Sequence, residues 1–104
     1  MIKYRIIWSP RASSRLLELY NYLIYKVKEP ITARNLYNSI LYETSKLKCF
    51  PARYPDISYY GKIGKSYRRL RVDKFIIIYK VNFKMSKVYI LDIFHSNQNY
   101  LSLI

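Results

Sequence analysis

Between positions 62 and 74 the chain sets Lys62, Lys65, Arg68, Arg69, Arg71 and Lys74 against a single acid, Asp73. Arginine grips a phosphate or carboxylate through a rigid two-pronged fork, so arginines packed this closely point to an anionic partner. A solvated edge strand guarded by charge against edge-to-edge pairing is the plainer alternative. It accounts for the lysines better than for the arginines, and a binding role is the stronger reading. His95 is the only histidine, and histidine is the side chain whose ordinary pKa lies near neutrality. Beside an RNA phosphodiester it would act as general base or acid. At a strand end it can equally bond a backbone carbonyl, which the sequence alone favours. Asp73 and Asp92 lie near these residues in sequence without a visible partner. One histidine, one cysteine (Cys49) and scattered carboxylates do not make a metal set. No Ser-His-Asp arrangement is legible, and two glycines, Gly61 and Gly64, are too few for a phosphate-cradling loop. No metal or cofactor is implied.

Arg68, Arg69, Arg71 and Lys74 sit on strands, His95 at the end of one, and Lys62 in the loop that runs to Gly64. Three strands are expected near the C-terminal end, at about 67–72, 74–81 and 87–94, with Asn82 to Ser86 as a hairpin connection. The middle one, Phe75 to Val81, is apolar on both faces and should be central. Period-two alternation points Leu70 and Val72 one way and Arg69 and Arg71 the other. By the same rule Tyr89, Leu91, Ile93 and His95 share a face. Upstream, Ile2 to Trp8 reads as a first strand. Ser9-Pro10 is a strong helix start, an N-cap followed by proline at the first helical position. Leu16, Leu17, Tyr20, Leu23, Ile24 and Val27 then recur at helical spacing to about Lys26. Ala33, Leu36, Tyr37, Ile40, Thr44 and Leu47 make a second helix from Pro30 to about Lys48. So short a connection makes an antiparallel helical hairpin. Trp8, Tyr20, Tyr25 and Tyr37 read as packing, while Lys26, Lys28, Arg34, Lys46 and Lys48 read as solvated helix faces. The prolines at 51 and 55 force a turn. Residues 96–104 form a short helix or an irregular arm. The fold class is α+β, in the order β-α-α-β-β-β. Two helices cover one face of a small, mainly antiparallel twisted sheet and leave the other for loops, the tail or a partner.

Length and composition narrow the function. One domain is expected from 104 residues. Nineteen basic residues against six acidic give a net charge of +13, far beyond what solubility requires. The excess calls for nucleic acid, an acidic protein or a membrane surface. No apolar run approaches a membrane span, no secretory h-region is visible, and a lone cysteine suits a reducing cytoplasm.

Taken in order, the Ile6-Ile7-Trp8-Ser9-Pro10-Arg11-Ala12 opening, the helical hairpin, the Phe50-Pro51-Ala52-Arg53-Tyr54-Pro55 turn, the Arg69-Leu70-Arg71-Val72 strand, Tyr79-Lys80-Val81 and the Val88 to His95 strand resemble the RelE/ParE superfamily of bacterial toxins from type II toxin–antitoxin modules. The resemblance covers nearly the whole chain. It implies a cognate antitoxin, usually acidic in its binding segment, which would account for the surplus charge. RelE-like members enter the ribosome and cleave messenger RNA with basic and acid/base residues on the open sheet face. ParE-like members do not cleave RNA and poison DNA gyrase. Many ribonuclease members carry an arginine three residues before the tyrosine matched by Tyr79, and here that position is Ile76. The Pro51–Pro55 turn and the Ile93-Phe94-His95 ending look ParE-like. The favoured expectation is therefore a gyrase poison, with Arg68, Arg69, Arg71, Lys74, Lys62, Lys65 and Tyr100 binding target or antitoxin. The alternative is a ribosome-dependent endoribonuclease acting on messenger RNA, with His95 as acid or base and Arg69 and Arg71 on the phosphate. A third is an inactive member that only binds its acidic partner.

Overall fold

A computed structural model describes residues 2–57 and 67–100. Its elements run β1 (Arg5–Trp8), α1 (Pro10–Tyr25), α2 (Pro30–Ser45), a 3-10 turn (Lys46–Lys48), β2 (Arg68–Val72), β3 (Phe75–Asn82) and β4 (Lys87–His95). This is the order expected from the sequence. Several ends are shorter than periodicity suggested: β1 begins at Arg5, and α2 gives way to the tighter turn at Lys46. The four strands form one sheet in the order β1-β4-β3-β2. β3 is antiparallel to both neighbours, and β1 runs parallel to β4.

Ser9 starts α1 as expected. Its hydroxyl accepts the Ala12 amide at 3.0 Å, and Pro10 follows in the first turn. The same hydroxyl donates to the Leu91 carbonyl at 2.8 Å, which ties the helix start to β4. Between the helices Lys28 takes a left-handed conformation, φ 60°, where glycine is usual. Asp73, at φ 53°, turns β2 into β3 through a two-residue loop.

The hairpin covers one sheet face, with α1 over β4 and α2 against β2. Ala12, Leu16, Ile40 and Leu47 meet Leu70, Val72, Ile77, Tyr79, Val88, Ile90 and Ile93 in the main core. Each fully buried aliphatic side chain there contributes roughly 1.5–3 kcal/mol. Trp8 packs against this core, and Tyr20 meets Tyr37 edge-on at 5.5 Å. Tyr25 does not pack: it is 72% exposed, and Leu17 is 58% exposed, because the apolar stripe of α1 is wider than the surface available to cover it. A smaller cluster, Ile57, Ile76, Ile78, Phe94 and Tyr100, lies on the opposite face. The chain itself, through Ile57 and the tail, covers part of that face.

Strict alternation fails in β4. Ile78 pairs with Asp92 and Tyr79 with Ile90, so Leu91 is an extra residue in a β-bulge. Val88 and Ile90 face the helices before it; Ile93 faces them after it. Tyr89 and Leu91 therefore point to the open face while Ile93 and His95 point to the helical side. The four do not share a face, because one inserted residue inverts the period.

Candidate functional site on the open sheet face

Arg69, opposite Ile78 on β3, projects from the open face. Its guanidinium donates to the Tyr100 hydroxyl. Tyr100 in turn stacks on Phe94, ring centroids 6.2 Å apart and planes inclined by 26°. The fold thus joins two of the expected site residues, 31 positions apart, over an apolar floor. Ile76 belongs to that floor and is 4% exposed.

The other expected residues are dispersed. Arg71 curls along the sheet edge, its Nε donating to the Asp73 carbonyl at 2.8 Å. Arg68 turns to the helical side, where its guanidinium donates to the Tyr54 carbonyl at 2.7 Å and more weakly to that of Ala52 at 3.4 Å. Lys74 is exposed in the β2–β3 turn, its carbonyl accepting the Ser96 amide at 2.7 Å. Lys62 and Lys65 lie outside the described residues. His95 stands on the helical side, edge-on to Phe75 at 5.3 Å. Its Nδ1 accepts the Asn97 amide at 3.0 Å, which leaves the proton of the neutral ring on Nε2. The sheet therefore separates His95 from Arg69 and Tyr100.

Two polar clusters escaped sequence reasoning. Asp92, 5% exposed, accepts the Ile93 amide at 2.8 Å on the oxygen that also meets Arg15 Nε at 3.4 Å; its other oxygen lies 3.9 Å from Arg11. The Arg15 guanidinium also sits 5.6 Å above the Phe94 ring. Arg11 and Arg15, one helical turn apart just after an N-cap, were the available signal. The second cluster is the Pro51–Pro55 turn, held by Arg68 and by Tyr79. The Tyr79 hydroxyl, fully buried, donates to the Pro51 carbonyl at 2.9 Å. Burial pushes its pKa up to about 12, against the opposing pull of the Arg68 charge. Tyr79 is a neutral structural donor.

Among the described residues no group of three or more His, Cys, Asp or Glu could hold a metal, and no helix is long and apolar enough to cross a membrane.

Residues 6–100 match the family of the ParE toxin of the type II toxin–antitoxin system parDE. No curated protein sequence matches significantly. Among solved structures, the chain is similar to one of the chromosomal ParDE toxin–antitoxin system of P. aeruginosa, at 16% identity, TM-score 0.70, covering 89% of this chain and 96% of that one. It is similar to one of the archaeal RelE–RelB complex of Pyrococcus horikoshii, at 17% identity, TM-score 0.66, covering 93% and 99%. A third likeness is to the RelBE2 toxin–antitoxin complex of Mycobacterium tuberculosis, at 15% identity, TM-score 0.60, covering 91% and 93%. At these identities the likeness is one of fold. The protein is thus a toxin of the ParE family of type II toxin–antitoxin systems, within the RelE/ParE superfamily.

Proposed function

We propose that this toxin poisons DNA gyrase and is held inactive by a cognate antitoxin with an acidic binding segment. The observation that carries the gyrase reading is the make-up of the open face. Ile76 stands where ribonuclease relatives place a phosphate-binding arginine, and it is buried with Ile57, Ile78 and Phe94. His95 lies across the sheet from Arg69, so the acid/base group and the phosphate ligand do not converge on one reacting atom. Such a face attaches to a protein target through an arginine rim around an apolar centre. The antitoxin reading is supported by the +13 charge and by the similar structures, which include a ParDE system and RelE–RelB complexes. An acidic segment would relieve the self-repulsion and speed association.

The test is a paired assay on toxin released from its partner: supercoiling by gyrase, and cleavage of message on programmed ribosomes. Gyrase inhibition with linear DNA accumulating and intact message is expected. Charge reversal, Arg69→Glu with Arg71→Glu, should abolish inhibition, and His95→Gln should leave it intact. Codon-phased cleavage with normal supercoiling overturns the reading.

One observation favours the ribonuclease alternative, the contact between Arg69 and the Tyr100 hydroxyl on the open face. There Tyr100 would serve as proton donor or acceptor beside a phosphate held by Arg69. Tyr100→Phe, which keeps the ring on Phe94, separates the two readings: message cleavage would fall steeply, whereas gyrase inhibition would not.

A further inference from the structure

The half of the open face over β1, β4 and the end of β3 belongs to neither cluster of expected site residues. Ile6, Trp8, Tyr79, Val81, Val88 and Ile90 all turn toward the helices. Their neighbours in sequence, Arg5, Ile7, Lys80, Lys87 and Tyr89, therefore face the other way. Pairing aligns them in rows: Arg5 beside Lys87, Ile7 beside Tyr89, and Tyr89 beside Lys80. Tyr67, packed on the open-face cluster, extends the second row past β3. Arg5 and Lys80 are exposed, and the Tyr89 and Tyr67 rings are half-buried. Two strand spacings put those rings roughly 10 Å apart.

The acids are elsewhere. Among the described residues Glu18, Glu29 and Glu43 lie on or between the helices, Asp73 in the β2–β3 turn and Asp56 beside the outer edge of β2. Asp92 alone reaches this face, and two guanidiniums meet it. A sheet surface of cations interleaved with aromatic rings, with its one acid already paired, complements a polyanion that has free ring faces to stack.

We propose that this surface binds single-stranded nucleic acid without cleaving it, Tyr89 and Tyr67 stacking unpaired bases while Arg5, Lys80, Lys87 and Arg69 meet the phosphates. An acidic protein segment would satisfy the cations equally but would make no use of the rings. A duplex hides its base faces, so rings on an open sheet favour a single strand. The proposal is independent of the gyrase reading: it requires only the toxin and the strand.

Polarisation of labelled DNA and RNA strands of about twelve nucleotides, against a matched duplex, tests it at about 50 and 200 mM salt. Either strand should bind at least about tenfold tighter than the duplex, and any preference between DNA and RNA assigns the source. Tyr89→Ala should weaken binding about tenfold while Tyr89→Phe keeps it. Replacing Arg5, Lys80 and Lys87 together by alanine should flatten the dependence of log affinity on log salt by about 2. Equal duplex affinity with Tyr89→Ala unaffected would reduce the effect to general polyanion attachment and overturn the proposal. Polyglutamate at matched charge competing as well as the unlabelled strand itself would also overturn it and assign the face to an acidic protein.

Discussion

Tyr79 illustrates how burial decides what a side chain can do. With its pKa pushed up to about 12 by burial, it keeps its proton wherever the protein is folded at ordinary pH. Its job is to hold the Pro51 carbonyl. Removing the hydroxyl leaves that acceptor without its donor, so Tyr79→Phe should cost about 1–3 kcal/mol in urea unfolding. The pH dependence has a definite sign. The unfolded chain releases this proton near pH 10 and the folded one near 12, so the unfolded state binds fewer protons in between. Stability is complete below pH 10 and falls as pH rises toward 12. Tyr79→Phe should lose that alkaline component, which paired unfolding titrations of the two proteins would read directly. The Asp92 cluster sets a second expectation by exposure. Arg11 is 70% exposed at 3.9 Å and Arg15 39% exposed at 3.4 Å. Arg11→Ala should therefore change stability by less than about 0.5 kcal/mol, and Arg15→Ala by about 1 kcal/mol because its packing on Phe94 is lost as well. Equal losses would mean that the nearer contact is not the stronger one.

Elements were mostly legible where local chemistry is strong. Ser9-Pro10 marks the start of α1, and the apolar run of β3 marks the sheet's centre, because capping and burial on two faces each leave a local signature. The bulge in β4 left none: Tyr89-Ile90-Leu91-Asp92-Ile93 reads as an unbroken strand, and the extra residue appears only when β4 meets β3. Its consequence is large, since it sends His95 to the helical side. Deleting Leu91 would restore unbroken alternation while leaving Asp92 and Phe94 on the open face and Ile93 and His95 on the helical side. The deletion should therefore keep cooperative unfolding by circular dichroism, as should Leu91→Ala, which only trims an open-face side chain, whereas inserting a second residue beside Leu91 would drive Ile93 outward and should abolish it. A deletion variant that loses cooperative unfolding would mean that the bulge itself, and not only the strand phase it sets, is needed by the fold.

Across the whole molecule, the surplus of thirteen positive charges repels itself in the compact state. Free toxin should gain stability as salt screens that repulsion, its urea midpoint rising between about 50 and 500 mM sodium chloride. A midpoint that falls instead would mean that ion pairs such as those of Asp92 outweigh the repulsion. Composition alone called for an anionic partner, because no folding of nineteen cations against six acids can neutralise the chain. Hydrophobic period and capping likewise set the α+β class, and the order of motifs carried the resemblance to the toxin superfamily. Which charges act together was decided only by tertiary structure. Arg68, Arg69 and Arg71 are neighbours in sequence, yet one anchors a turn, one meets Tyr100 and one lines an edge. Strand alternation, a single bulge and the path of the tail set those directions. Each depends on pairing between segments far apart in the chain, which no local pattern of residues records.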